Sequence, residues 1–391
     1  MASSVILSAA RTPVGSFGGT LSTLTAPQLG SVAIAAALER AGVKPEQVSE
    51  VVMGNVLTAG VGQSPARQAA IGAGIPNSVP TLTIGKVCGS GMKAVMLADQ
   101  MIRCGDALIV VAGGQESMSV APYLLDKARN GYRMGDGKVI DSMMHDGLTD
   151  AYDKVAMGIA ADACAVSCNV PREAQDEFAI ESYRRAQAAI GDGRFKDEIA
   201  PVTVKDRKGD IVVDTDEDPF KTNFDKIPTL KPVFTKDGTV TAANASKIND
   251  GAAALVIADE AYAAQNGLKP LARIVAQSSH AHAPMEFTTA PIDAIKKVLE
   301  KAGLTMDDID LFEINEAFAV VALAAQNALN IPQEKLNVNG GAVAIGHPIG
   351  ASGARILTTL VHALKNRGLK RGLAAICIGG GEATALIIEM V

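Results

Sequence analysis

The sequence predicts an α/β fold built from two duplicated core halves with a loop domain inserted between them, and three observations point to it. Amphipathic helix patterns alternate with short, continuous apolar runs, the pattern of buried strands covered by helices. The same order of motifs occurs twice. Between the two copies the segment Pro122 to Asn244 changes character, with more charge and fewer strand-like runs.

The repeat can be followed residue by residue. Leu38-Glu39-Arg40-Ala41-Gly42 precedes Pro45-Glu46-Gln47-Val48 and Val51-Val52, while Leu299-Glu300-Lys301-Ala302-Gly303 precedes Met306-Asp307-Asp308-Ile309 and Leu311-Phe312. Each copy reads as a helix, a glycine stop, an acidic turn and a buried strand. Further on, Cys88-Gly89-Ser90-Gly91 opens a helix through Ile102, then a strand Ala107 to Ala112 and the run Gly113-Gly114-Gln115-Glu116. Its counterpart is Gly350-Ala351-Ser352-Gly353, a helix through Lys365, a strand Leu373 to Ile378 and Gly379-Gly380-Gly381-Glu382. Met1 to Ala10 reads as a strand entering Arg11, and Arg172 to Ile190 as the main helix of the insertion. The apolar strand Ala252 to Ile257 returns to the first core. The expected domains are therefore 1–121, completed by 245–270, an insertion at 122–244, and 271–391.

Composition bounds the function. At 391 residues the chain exceeds the size of one growing core. A net charge of -6 argues against a nucleic-acid surface, and no apolar run is long enough to span a membrane. Five scattered cysteines make a poor disulfide framework. With no signal peptide in view, a reducing, cytoplasmic compartment is expected.

The chemistry concentrates in four short segments. Val87-Cys88 ends an extended stretch before Gly89-Ser90-Gly91, which places a thiol at the positive end of a helix dipole, a setting that favours thiolate. Cys377 ends an apolar strand before Gly379 to Gly381, where a ligand can approach the strand end. Gly346-His347-Pro348-Ile349-Gly350 holds an imidazole on a tightly bent backbone, as a preorganised base or oxyanion donor requires. Asn315-Glu316-Ala317-Phe318 puts an amide at a strand end, where it positions a water, holds a carbonyl or serves only as a cap. Cys104, Cys164 and Cys168 read as core packing, and His145 and His362 as surface residues. His280 and His282 alternate without further partners at ligand spacing, so no metal site is expected. Neither a dinucleotide fingerprint nor a Walker A sequence occurs.

Taken together and in this order, these segments resemble the thiolase family, in particular its acetyl-CoA acetyltransferases, from Ala9-Ala10-Arg11-Thr12-Pro13 to Gly379-Gly380-Gly381. The resemblance implies a five-layered αβαβα fold and ping-pong acyl transfer between acetyl-CoA, acetoacetyl-CoA and CoA. Coenzyme A is then a substrate, and no cofactor is implied. It further implies that Cys88 is the nucleophile, His347 its activator, Cys377 the acid/base at the α-carbon and Asn315 the holder of a water. The backbone amides of Cys88 and Gly379 would form an oxyanion hole. Leu148, Met157, Phe234, Ala242, Ser246, Ala317 and Phe318 match substrate- and CoA-contacting positions.

Two departures bear on the acyl pocket. Ala156 stands where the family usually has His, and Phe287-Thr288-Thr289-Ala290-Pro291 replaces its Met-Gly-x-Gly-Pro. A 3-ketoacyl-CoA thiolase of fatty-acid breakdown is the nearest alternative. A non-catalytic acyl-CoA-binding relative is disfavoured because both cysteines are present. The basic stretch Lys127, Arg129, Arg133 and Lys138 corresponds to a family loop that joins dimers into tetramers, so a homotetramer is expected.

Overall fold

The computed structural model describes residues 3–391. The first half runs β1 (Ser4–Arg11), β2 (Gly15–Ser16), α1 (Ala26–Ala41), β3 (Glu50–Gly54), α2 (Pro65–Gly72), β4 (Thr81–Ile84), α3 (Ser90–Cys104) and β5 (Ile109–Ser117). The insertion carries β6 (Tyr123–Leu124), β7 (Ile140–Asp141), α4 (Met157–Ser167), α5 (Arg172–Gly191), β8 (Val202–Val204) and β9 (Ile211–Val213). The chain then returns through β10 (Asn249–Asp259) and α6 (Glu260–Gln265). The second half runs β11 (Ala272–Ala281), α7 (Ala290–Ala302), β12 (Leu311–Ile314), α8 (Ala319–Leu329), α9 (Ala342–Ile345), α10 (Ile349–Arg367), β13 (Arg371–Ile378) and β14 (Glu382–Met390).

The duplication shows in the strand order β12-β13-β14-β11-β1-β10-β5-β3-β4, in which the second half mirrors the first about the β11–β1 junction. That junction is narrow: Val5 pairs with Arg273 and Ile6 with Ala272. The two halves, expected as separate layers, are thus hydrogen-bonded into one sheet. Strand residues alternate between its faces. Val51 and Met53 pack with α1 and α2 on one side, and Val52 faces α3 and α10 on the other. In the second half Phe312, Ile314 and Leu373 face α7. Helices α3 and α10 fill the centre, covered by strands from both halves, which is the five-layer order. Repeat ends are punctuated alike, since Gly42 and Gly303 close α1 and α7 in the left-handed conformation at φ 64° and 66°.

The run Gly113-Gly114, expected beyond its strand, lies inside β5. A Cβ on Gly113 would stand 2.0 Å from the Ala253 carbonyl oxygen, and one on Gly114 would stand 2.1 Å from that of Gly350. These glycines exist for close approach, not for turning. Arg11 anchors the insertion to β1: its guanidinium, fully buried, meets Glu198 at 2.6 Å and Asp216 at 2.7 Å.

Candidate active site

The first turns of α3 and α10 touch, and these helices follow Cys88 and His347. A Cβ on Gly91 would meet the Ala354 nitrogen at 2.8 Å and the Gly350 oxygen at 3.1 Å, and one on Gly353 would meet the Met92 nitrogen at 2.4 Å. Cys88 precedes the first helix and His347 the second, so the glycine contacts bring the two segments to one place. Val87, expected as extended, instead adopts φ 43°. That is a strained conformation for a β-branched residue, and it turns the chain sharply just before the thiol.

At the thiol, burial opposes the stabilisation expected from the helix start. Burial pushes Cys88 up to about 11, against the backbone N–H groups of Gly379 and of Cys88 itself, which reach the sulfur and pull it down. Cys377 is fully buried and held well above the usual thiol range by burial and by the neighbouring Cys88. His347 is also buried, and burial with the nearby Arg355 guanidinium pulls it down to about 3. The resting set is therefore two thiols and a neutral imidazole.

The tautomer of that imidazole follows from its neighbours. His347 Nδ1 lies 2.6 Å from Ser352 Oγ. The Ser352 hydroxyl spends its one proton on the Pro348 carbonyl at 2.9 Å. Its oxygen must then accept, so Nδ1 carries hydrogen and Nε2 keeps a free lone pair. The main chain of His347 is pinned as well: its N–H donates to Asn249 Oδ1 at 3.0 Å. Gly346, at φ 118°, leaves no room for a side chain against that amide.

Glu116, at the end of β5, ties this corner to the first half. Its carboxylate accepts from Asn55 Nδ2, from the N–H groups of Val56 and Leu57, and from Gly350 N–H at the start of α10. Burial lifts it to about 7 against those four donors. Asn315 is buried at the end of β12, its main-chain N–H bonded to Ala375, and its side-chain amide makes no hydrogen bond among the described residues. A buried amide with both ends unpaired is suited to a water or a ligand. Next to it Glu316 is structural, accepting from Ser182, Asn337 and Val343. Ser352, Asn249 and Glu116 escaped the sequence reading. Each acts through a residue distant in the chain, except Ser352, whose spacing of five from His347 across a helix start was a readable signal.

A cavity of about 210 Å³ opens at this corner, lined by Leu148, Met157, Phe234, Ser246, Phe318 and His347. Ala156, Met118 and Ile349 also line it, and the last two belong to the apolar cluster against which Cys88 packs. Phe234 and Phe318 meet edge to face at 6.1 Å, and Gly158 makes room for the Phe234 ring. Ala242 lines an adjoining open cleft of about 550 Å³ with Phe234, Ser246 and Lys247. Ala317 and Phe287 sit behind the wall, buried with Phe318 and Cys377 in one apolar cluster.

Three expectations about other residues are corrected. Cys104 is exposed rather than packed in the core. His362 is buried on α10, facing the Ala9 carbonyl of β1 at 3.0 Å through Nε2. His280 and His282 do have a third partner, since α7 brings Asp293 to them.

Comparison with known proteins agrees with this architecture. The family described as thiolase, N-terminal domain, matches residues 4–261, and that described as thiolase, C-terminal domain, matches residues 268–390. Acetyl-CoA acetyltransferases of Cupriavidus necator and Chromobacterium violaceum are 56% and 52% identical, each comparison covering 98% of both chains. The crystal structure of the Bacillus anthracis acetyl-CoA acetyltransferase superposes with a TM-score of 0.98 at 43% identity, covering 100% of this chain and 99% of that one. The chain belongs to the thiolase family.

Proposed function

We propose that the chain is an acetyl-CoA C-acetyltransferase, which condenses two acetyl-CoA to acetoacetyl-CoA and CoA and runs the reverse thiolysis. The observation that carries this reading is the Cys88 thiol beside Cys377, with the N–H groups of Gly379 and Cys88 aimed at it. Near-full-length relatives at 52 to 56% identity bear that name, so the 3-ketoacyl-CoA thiolase alternative is not favoured.

The chemistry balances with the chain's own groups. Cys88 passes its proton to Nε2 of His347 and attacks the thioester carbonyl, and the CoA thiolate leaves with the proton of Cys377. The Cys377 thiolate then removes an α-proton from a second acetyl-CoA. The resulting carbanion attacks the acetyl-Cys88 carbonyl, and the expelled Cys88 thiolate recovers its proton from His347. The product is acetoacetyl-CoA. Asn315 holds a water beside His347 for one oxyanion, and the N–H groups of Cys88 and Gly379 serve the other. One such donor contributes about 3 to 4 kcal/mol of barrier lowering in a comparable hydrolase. Coenzyme A is a substrate here, and no separate cofactor enters.

The acyl group and pantetheine occupy the cavity and cleft lined by Leu148, Met157, Phe234, Ala242, Ser246 and Phe318, with Ala317 and Phe287 supporting the wall. Segment 122–244 acts as the inserted domain, between a first core of 1–121 with 245–270 and a second of 271–391. Five unpaired cysteines suit a reducing, cytoplasmic setting. No helix among the described residues is long and apolar enough to cross a membrane.

Incubation with acetyl-CoA and proteolysis test the assignment. One acetyl mass is expected on the peptide Val87 to Lys93, absent in Cys88→Ala. Cys377→Ala should still acylate but fail to exchange the α-protons of acetyl-CoA. Label on Cys377 with Cys88 untouched overturns the roles.

A further inference from the structure

We infer that His280, His282 and Asp293 form a binding site for a divalent transition metal of the zinc class, outside the acyl-transfer site. His280 stands at the end of β11 and His282 just past it, two residues apart and so on one face of the extended chain. Their rings lie 5.2 Å apart with planes at 83°. The first turn of α7 supplies Asp293, whose Oδ2 is 3.5 Å from His280 Nε2. One ligand atom from each of the three residues lies within 4.8 Å of the other two. Two imidazoles and a carboxylate match the borderline ligand preference of zinc and cobalt, with a fourth position left for water.

The proton positions agree with ligation at one ring and set a competition at the other. His282 Nε2 donates to the Glu286 carbonyl at 2.6 Å, which leaves Nδ1 with a free lone pair. A ligating histidine is normally oriented by such a bond through its other nitrogen. His280 Nδ1 accepts from the Lys297 ammonium at 2.8 Å, so in the metal-free state the proton sits on Nε2, facing Asp293. A metal at Nε2 displaces that proton and moves the ring hydrogen to Nδ1, where the Lys297 ammonium can no longer donate. Lys296, 3.3 Å from Asp293 Oδ1, competes for the carboxylate. The two lysines therefore weaken the site, and removing Lys297 should strengthen it.

The site abuts the catalytic turn. His282 N–H donates to the Gly381 carbonyl at 2.9 Å, and Gly381, at φ 87°, packs without room for a Cβ against the His282 and Ala283 carbonyls. Gly381 closes the turn whose Gly379 N–H reaches the Cys88 sulfur. A metal here would brace the strand end that supports the oxyanion donor.

Cobalt(II) titration of the untagged full-length protein tests the inference, read by visible absorption and calorimetry. The expected result is one ion per chain with d–d bands and no thiolate charge-transfer band. Affinity should fall about tenfold or more in His282→Ala and in Asp293→Asn, since even a lost outer-shell partner of a metal ligand costs about 10- to 100-fold, and rise in Lys297→Met. Melting temperature and acetyl transfer in chelator confirm that each variant is folded; if His282→Ala is not, the surface change Asp293→Asn decides alone. Binding unchanged in the folded variants, or a thiolate band that vanishes on alkylating the cysteines, overturns the site.

Discussion

Ser352 Oγ accepts from His347 Nδ1 at 2.6 Å while donating to the Pro348 carbonyl at 2.9 Å, so one hydroxyl at the start of α10 sets the tautomer of the base. Ser352→Ala removes the acceptor that keeps hydrogen on Nδ1. The imidazole is then free to place it on Nε2, where it cannot take a proton from Cys88. Burial of the ring makes this costly to reverse, since an unpaired Nδ1–H in a dry site loses about 1 to 3 kcal/mol. We expect kcat to fall about 10- to 100-fold with KM nearly unchanged, because Ser352 touches no substrate-lining surface. Steady-state kinetics on Ser352→Ala, with Ser352→Thr as the conservative rescue, check this. A proportional rise in KM instead would place Ser352 in binding.

The pH profile offers a second test. An imidazole pulled down to about 3 keeps its free base on acidification, so the acid limb of kcat/KM moves far below the ordinary histidine value of 6.5. The thiol, lifted to about 11, stays protonated on the alkaline side. Acetyl transfer from acetyl-CoA should therefore be flat from about pH 6 to 8. The same shift means the unfolded chain takes up a proton below 6.5 that the native ring refuses, so stability falls with pH there. An inflection in kcat/KM near 6.5 would show instead that His347 titrates in the ordinary imidazole range.

How far the sequence reaches is clear from particular residues. Cys88, His347, Asn315 and Cys377 stood out because glycines and strand ends surround them, and those local features persist in the fold. The helix and strand order was readable because apolar periodicity survives burial, down to the glycine stops at Gly42 and Gly303. What was hidden depends on contacts between distant segments. Gly114 is a glycine inside a strand because α10 approaches it there, and nothing local reveals that. The thiol's lift was missed since burial is its largest cause, and burial is a property of the whole fold. Asp293 joins His280 and His282 only through the packing of α7 on β11.

Chain-length preference follows from the wall of the cavity. Ala156 lies on that wall, whereas Phe287 lies behind it in the cluster with Cys377. Acetoacetyl-CoA should remain a good substrate, with graded turnover of somewhat longer 3-ketoacyl-CoAs, because one methylene in an apolar pocket changes discrimination by only about 1 to 3 kcal/mol. Ala156→His should narrow the range, and Phe287→Met should change it less. Measuring kcat/KM across a 3-ketoacyl-CoA series decides the matter. A preference for long chains by orders of magnitude would move the protein to the degradative class.

Assembly is the last prediction, and it rests on the hairpin of β6 and β7. Lys127, Arg129, Arg133 and Lys138 lie in the connection between these strands, in a chain of net charge -6. The same hairpin exposes apolar side chains: Met134 is 97% exposed, Tyr123 67% and Val139 63%. Apolar residues held out on a hairpin, ringed by cations, fit a contact with another copy better than a solvated loop. At the far end of the sheet β4 pairs, among the described residues, only with β3 and leaves Leu82 exposed, an open edge of the kind that a second subunit covers. Two different faces suit a dimer of dimers, the common closed arrangement for a tetramer. The family resemblance implies that such a loop borders the opening to a neighbouring subunit's site, where its cations would attract the phosphates of coenzyme A. We therefore expect a tetramer in solution, and that deleting Ala128 to Asp136 leaves an intact dimer with a raised KM for CoA. Light scattering that finds the full-length chain dimeric at micromolar concentration would rule the tetramer out, whatever the deletion does to KM.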